Sequence, residues 1–338
     1  MMKRSIIIVL LVSLMSTVAN GAWYWVGTVD NSWANNNNWH DGTQSPPGSE
    51  HSATESIRIP GGTVNADEDD TMGYLMLGRD DGFGAPAPIA NATVNINSGY
   101  TLNVSTGSSE LVSVAFTDGY TNNLNVSNGR LNVWRGTGAG ELRLNHIYAA
   151  TCVGNVTLSG TGIIDTEDLN KGDRAGGGDF TATGGTLVIR NEIDKFGKLS
   201  EDLSYGFKLG GATLEIAPIG SAIGENYVGA IGDIEIGNSQ DCDFLMDSTS
   251  TVVFDLGTAQ NKGGTAGVDW DYIGTEGDFV IDGTLLVRYT VAAEVGDYWD
   301  VWSVEYDLGS YDGSGSFDSL PSNITASWED SGVGTHDI

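Results

Sequence analysis

Leu124-Asn125-Val126-Ser127-Asn128-Gly129-Arg130-Leu131-Asn132-Val133 is the stretch whose reading decides the fold. Two short runs alternate apolar and polar residues on either side of a Ser-Asn-Gly corner. Alternation sends every second side chain to the same face of a strand, so Leu124, Val126, Leu131 and Val133 form a buried set. The pattern recurs, with the second run seven residues after the first, at Val156 and Ile163, at Phe180 and Leu187, and at Phe207 and Leu214. Val94-Asn95-Ile96 and Leu102-Asn103-Val104 repeat it with one inserted residue. The copies begin at 94, 124, 156, 180 and 207, an irregular period of 24 to 32 residues.

That period suits one turn of a parallel β-helix, with about three short strands per turn and loops leaving at the corners. Inward Val, Leu and Ile then stack on like residues about 4.8 Å away in the next turn. Glycine gives the corners their backbone freedom, and Asn is tolerated outside because it is solvated. At about 25 residues per turn the mature chain makes about 12 turns, a rod on the order of 60 Å. A second reading stands beside this one. Asn128-Gly129 between alternating runs is also a hairpin signal that pairs Val126 with Leu131. Five such hairpins build an antiparallel β-sandwich or barrel. The constant corner in turns of variable length favours an all-β, right-handed parallel β-helix (β-solenoid) with N- and C-terminal caps; the antiparallel β-sandwich is the alternative.

The chain divides accordingly. Lys3 and Arg4 followed by the apolar run 6–14 read as a signal peptide over 1–22, too short in its apolar part to span a bilayer. Residues 23–56 form an aromatic, Asn-rich N-terminal cap, 57–250 the β-helix repeats, and 251–338 the C-terminal end and cap. The mature chain is expected to be secreted or displayed at the cell surface, with no transmembrane segment. Asp and Glu number 45 against 15 Lys and Arg, a net charge of −30, which repels nucleic acid and anionic lipid. Export permits a disulfide between Cys152 and Cys242; lying 90 residues and several turns apart, they otherwise read as two free or buried thiols.

The Trp/Asn-rich start, the repeated corners and the late run from Thr251-Val252-Val253-Phe254-Asp255-Leu256 to Trp328 resemble bacterial exported autotransporter-type β-helix proteins. The nearest likeness is to the repeat proteins associated with PEP-CTERM sorting tails. In those, an Asp-Tyr step, an Asp-Gly-Thr-Leu corner and a Gly-Asp-aromatic segment follow a core strand. Asp271-Tyr272, Asp282-Gly283-Thr284-Leu285 and Gly296-Asp297-Tyr298-Trp299 match them here. The resemblance implies a right-handed β-helix displayed at or released from the cell surface. It carries over no catalytic residue. The chain departs from it in showing no sorting tail and no following outer-membrane barrel.

Chemistry is sparse. The four histidines, His40, His51, His146 and His336, lack the flanking glycines of a polygalacturonase-like site, and no Arg-Ile-Lys run occurs. Asp69/Asp70 and Asp80/Asp81 are paired carboxylates, but neighbours on a strand point to opposite faces. No nucleophile elbow, phosphate loop, zincin or dinucleotide motif is present. Two places depart from the repeat. Trp33 and Trp39 lie in the N-terminal cluster, either covering the open core of the first turn or stacking a glycan. Asp168, Asn170, Asp173 and Asp179 lie in a Gly-rich acidic loop, 165–179, whose alternating oxygens partly match a calcium-loop template with its Asp-Gly order inverted. Either these bind calcium, or the loop is a solvated connection and no cofactor is needed. The expected function is that of a non-enzymatic, exported surface, adhesive or matrix protein whose partners are glycan, other cells or copies of itself. A glycan-binding module or polysaccharide-active enzyme on the same fold is the alternative.

Overall fold

The computed structural model describes residues 22–40, 53–79, 90–105, 110–135, 140–145, 151–172, 177–196, 206–219, 227–237, 242–275 and 279–305, apart from positions 28, 98 and 228. It also describes residue 221 and the backbone of Ser314–Ser319, Glu329–Asp330 and Thr335–Asp337. The expected signal peptide, except Ala22, lies outside the described residues.

Leu124 and Val126 do turn inward, but they do not pair with the run beyond the corner. Strand Thr121–Val126 lies parallel between Ala92–Ile96 and Val153–Leu158, so Leu124 faces Val94 and Val156. Strand Arg130–Val133 lies parallel between Thr101–Val104 and Ile163–Asn170, so Leu131 faces Leu102 and Ile164. The hairpin reading is therefore overturned: Asn128-Gly129 turns the chain from one sheet into another. Asn128 holds that corner to its neighbours, accepting from Gly99 N at 2.8 Å through its carbonyl and from Thr161 N at 3.2 Å through Oδ1. Gly129 is needed for closeness rather than for special backbone angles, since a Cβ there would lie 2.7 Å from the Tyr100 carbonyl oxygen.

The molecule is all-β, and its parallel strands form three ladders. The first runs Gly62–Ala66, Ala92–Ile96, Thr121–Val126, Val153–Leu158, Phe180–Ala182. Phe207–Leu209, Phe244–Met246 and Phe279–Tyr289 pair in the same parallel sense beyond it. The second runs from Asp70–Met72 through Thr101–Val104, Arg130–Val133, Ile163–Asn170, Thr186–Asp194, Thr213–Ile216 and Thr251–Leu256 to Phe279–Tyr289. The third runs from Ala22–Trp25 through Ser56–Ile59, Tyr74–Leu77, Glu110–Ala115 and Glu141–Asn145 to the later halves of the strands at 163–170 and 186–194. It continues through Asp233–Ile236 and Tyr272–Thr275 to Trp302–Glu305. From Tyr74–Leu77 onward the chain visits third, first and second ladder in a repeating order. The third ladder holds ten described strands, about 43 Å of stack at ~4.8 Å each. This is shorter than the sequence estimate because long connections consume residues.

The ladders share one core. Leu102, Leu131, Ile164, Leu187, Leu214 and Val252 stack in register on the second ladder, and Ile57, Leu75, Val112, Leu142, Leu169, Ile193 and Ile236 on the third, all without exposed surface. Further along, rings replace aliphatics: Phe180, Phe207 and Phe244 succeed one another at 5.5 and 5.9 Å, and Trp302 lies 5.3 Å from Phe244. Burial on this scale stabilises each aliphatic side chain by about 1.5–3 kcal/mol relative to water. The ladders cross position 250 without a break in register, Thr213 facing Thr251 and Thr251 facing Thr284.

Outward Asn residues do more than meet water. Asn95 Nδ2 donates to Asn65 Oδ1 and Asn125 Nδ2 to Asn95 Oδ1, each at 2.9 Å, and Asn155 bonds Asn123 at 3.0 Å. Amide stacking across the turns supplements the backbone ladder. It leaves one N–H and one lone pair of Asn95 facing outward.

Corner lengths differ by position. Between separate strands of the first and second ladder the connection is three or four residues, as at 127–129, 183–185 and 247–250, and the single strand Phe279–Tyr289 serves both ladders without one. Between second and third it reaches sixteen residues at 217–232, fifteen at 257–271 and twelve at 290–301.

The ladder ends leave the parallel pattern. Trp39–His40 pairs antiparallel with Ala22–Trp25, and Trp33 N donates to Asn65 O at 2.9 Å on the outer edge of the first ladder. At the other end Thr335–Asp337 pairs antiparallel with Trp302–Glu305 and with Glu329–Asp330.

Candidate functional site

Trp33 and Trp39 are 2 % and 3 % exposed, so neither offers a face to a sugar. Their rings meet edge to face at 4.9 Å, and Trp39 meets Trp25 at 5.0 Å in the same way. Both indole N–H groups are used internally. Trp33 donates to Asp70 Oδ2 at 2.7 Å and Trp39 to the Trp33 carbonyl at 2.7 Å. Asp70 occupies the register position that Leu102 and Leu131 take in later turns, which places an acceptor where the indole needs one. The stacking role is thus corrected: this cluster covers the core.

The acidic stretch expected as a loop, 165–179, is strand over its first six residues. Asp168 and Asn170 belong to strand Ile163–Asn170, paired on both sides, rather than to a loop. Asp168 accepts from Asn191 Nδ2 at 2.7 Å, and Asn170 Oδ1 accepts from Gly172 N at 2.6 Å. The Asp179 carboxylate is 69 % exposed and pairs with Lys171 at 3.3 Å, while Asp173 lies outside the described residues. Among the described residues no group of three metal-binding side chains converges.

Asp168 has another setting. It stands in register with Glu141 on one side and Glu192 on the other, and Glu110 and Glu235 extend the column. Burial, with Glu192, Glu141 and Glu167 adding repulsion, pushes its carboxyl up to about 7 against the pull of the Asn191 bond.

Two buried ionic clusters fasten the 217–232 connection across the outer face of the second ladder. Asp165 takes a two-pronged bond from Arg190, at 2.7 and 3.1 Å, a contact from Arg130 at 3.2 Å and the Tyr227 hydroxyl at 2.7 Å. Arg190 also donates to the Pro218 and Ser221 carbonyls at 3.2 and 3.1 Å. Arg288 bridges Asp255 and Glu215, and Asp255 accepts from Gly229 N at 2.9 Å. Burial and the adjoining Asp165 carboxylate raise the Tyr227 phenol well above its usual value. Asp271 accepts from Gly232 N at 2.8 Å and Asp255 N at 2.6 Å, yet burial drives it up to about 8. These carboxylates are saturated by their partners and serve to bind segments together.

Cys152 and Cys242 are both free and buried, and burial pushes the Cys242 thiol up to about 12.

A cleft of about 370 Å³ opens where the connections 257–271 and 290–301 meet. Its walls include Gln260, Thr265, Trp270, Tyr272 and Asp300. The short helical turn Gln260–Lys262 ends at Gly263 in the left-handed conformation, φ 87°, which brings the chain back over Trp270. Gly264 is obligatory, since a Cβ would fall 2.0 Å from the Thr258 carbonyl oxygen. The two connections brace each other. Gln260 N donates to Tyr298 O at 3.0 Å, Trp270 Nε1 to Asp300 O at 2.9 Å, and Lys262 reaches Glu294 and Asp297 at 3.0 and 2.8 Å. Nearby rings face water: Tyr289 is 37 % exposed and Tyr298 53 %, with Trp299 tilted against Tyr289 at 5.8 Å. Sequence reasoning took this region for a plain closing cap. Its one signal was the cluster of aromatics from Trp270 to Trp302.

Comparison with protein-family models, with curated proteins and with solved structures finds no match to this chain.

Proposed function

We propose that the chain is an exported right-handed parallel β-helix serving as a non-catalytic surface, adhesive or matrix component. The observation that carries this reading is the set of in-register parallel ladders around one shared core, bounded at its ends by antiparallel strands. Strand-to-strand crossovers into a parallel ladder are right-handed in nearly all proteins, which supports the assigned hand. The basic and apolar start at 3–14 supports export, and the −30 charge supports a partner that is neither nucleic acid nor anionic lipid. The described buried carboxylates are tied up in structural bonds, which supports binding over turnover. The work of such a molecule is geometric: a stiff body holds its faces and connections at fixed spacing. Among the described residues no helix is long and apolar enough to cross a membrane.

Solution scattering combined with a polysaccharide panel tests the reading. An elongated particle that releases no reducing ends and no unsaturated products is expected. A compact particle overturns the β-helix, and catalytic release of sugar products overturns the non-enzymatic role.

A further inference from the structure

We propose that the cleft between the 257–271 and 290–301 connections binds one unit of a neutral, hydroxyl-rich sugar. This rests on the adhesive reading above and names its partner. Three observations converge. The cleft, at about 370 Å³, falls in the range of small-ligand sites, about 300–1,000 Å³. Three of its polar groups are uncommitted among the described residues: Gln260 Oε1 is buried without a hydrogen-bond partner, and the Asp300 carboxylate and Thr265 hydroxyl make no side-chain bond. Elsewhere the buried Asp165 and Asp271 carboxylates each accept two or more hydrogen bonds, whereas no bond to the Asp300 carboxylate is found among the described residues.

The third observation is the aromatic surround. Tyr272 lines the cleft above the buried Trp270, and Tyr298, joined through its carbonyl to Gln260 N, stands 53 % exposed beside it. Sugars present apolar C–H faces and a rim of hydroxyl donors. The Tyr272 and Tyr298 rings take the first, and carboxylate and amide oxygens accept from the second. Asp300 accepts two neighbouring hydroxyls, Gln260 Oε1 accepts a third, and Thr265 gives or takes a bond at the exposed lip. Tyr298 offers a stacking surface to the next sugar along a chain.

Charge selects the class. No Lys or Arg lines the cleft, Asp300 contributes a negative charge, and the molecule carries −30, so uronic acids and sulfated sugars are repelled. A single carboxylate is too few for a divalent cation, which takes six or more oxygens. The rival ligand is a small organic cation held by Asp300 and the rings.

Calorimetric titration of the full chain separates these outcomes. The probes are neutral gluco-, xylo- and manno-oligosaccharides, hexuronate oligomers as the anionic arm, and choline as the cationic arm. Saturable binding of at least one neutral oligosaccharide at millimolar concentration or below is expected, with hexuronates inert. Asp300→Ala and Thr265→Val each weaken it by about tenfold or more, the loss expected when a ligand group is left unpaired. Tyr298→Ala weakens oligomers more than single sugars. Melting midpoints of these variants stay at the parent value, because the replaced side chains hold no structural bond. Failure of every neutral sugar to bind, preference for choline or hexuronate, or binding that survives both Asp300→Ala and Thr265→Val overturns the proposal. None of those results alters particle shape or produces sugar products, so they leave the structural reading standing.

Discussion

Replacing Asp168 with asparagine tests the carboxylate column of the third ladder. Asp168 is 9 % exposed and lies between Glu141 and Glu192 in neighbouring turns. Its carboxyl is raised from 3.8 to about 7, first by burial and then by Glu192, Glu141 and Glu167. A raised carboxyl keeps a proton in the folded state that the unfolded chain has released. Its stabilising contribution is complete below the unfolded value near 4 and is lost as pH rises through about 7. A gap of about three units corresponds to at most ~4 kcal/mol between those limits. Asp271, raised to about 8, tilts the parent in the same direction, so the protein is more stable at pH 5.5 than at pH 8.5. Asparagine keeps an acceptor for Asn191 and removes the charge. Asp168→Asn therefore matches the parent near pH 5 and exceeds it at pH 8.5, which flattens the profile. Urea midpoints measured from pH 5 to 8.5 at constant ionic strength read this directly. Parallel profiles, or a variant weaker than the parent at pH 8.5, would refute the reasoning.

Gly154→Ala places a Cβ 1.9 Å from the Leu144 carbonyl oxygen and is expected to cost about 3 kcal/mol or to prevent folding, seen in melting curves; a parent-like midpoint contradicts the packing. Arg190→Met removes the two-pronged partner of buried Asp165 and should cost about 3–5 kcal/mol, with proteolysis rising first in the 217–232 connection; a neutral change would mean that Arg130 and Tyr227 suffice. Trp39→Ala should lower stability by about 3–5 kcal/mol and leave sugar binding per folded molecule unchanged; selective loss of binding would reinstate the stacking role. Chelator should leave the melting midpoint unchanged, because Asp168 and Asn170 are strand residues with protein partners; a drop would restore calcium.

The copies beginning at 94, 124, 156, 180 and 207 were legible because each puts its inward residue on the first ladder and keeps a spacing of seven or eight to the second. Val64 and Phe279 belong to the same scheme but reach the second ladder at Asp70 and Leu285 after only six residues. At Asp70 the expected apolar residue is absent, because Trp33 requires an acceptor. Local alternation could not exclude the hairpin, since what distinguishes the folds is a partner about 30 residues away. The two roles offered for Trp33 and Trp39 could not be separated in sequence because exposure is a tertiary property: identical indoles serve a core or a ligand. The cleft was hidden because its walls come from connections about 30 residues apart, joined by contacts such as Gln260 N to Tyr298 O.

The unequal corners give the molecule a conservative edge and a permissive one. Four residues or fewer between first and second ladder leave no room for novelty, since extra chain there would pull two stacked columns out of register. The opposite corner already carries sixteen, fifteen and twelve residues while the ladders on either side stay in step. Both the strap fastened by Arg190 and the cleft beside Trp270 grew from that corner. Where this margin is exposed, change is decoupled from folding, so new recognition surfaces can be tried there one turn at a time, and foreign segments inserted at 291–293 are expected to be displayed without disturbing the body that carries them.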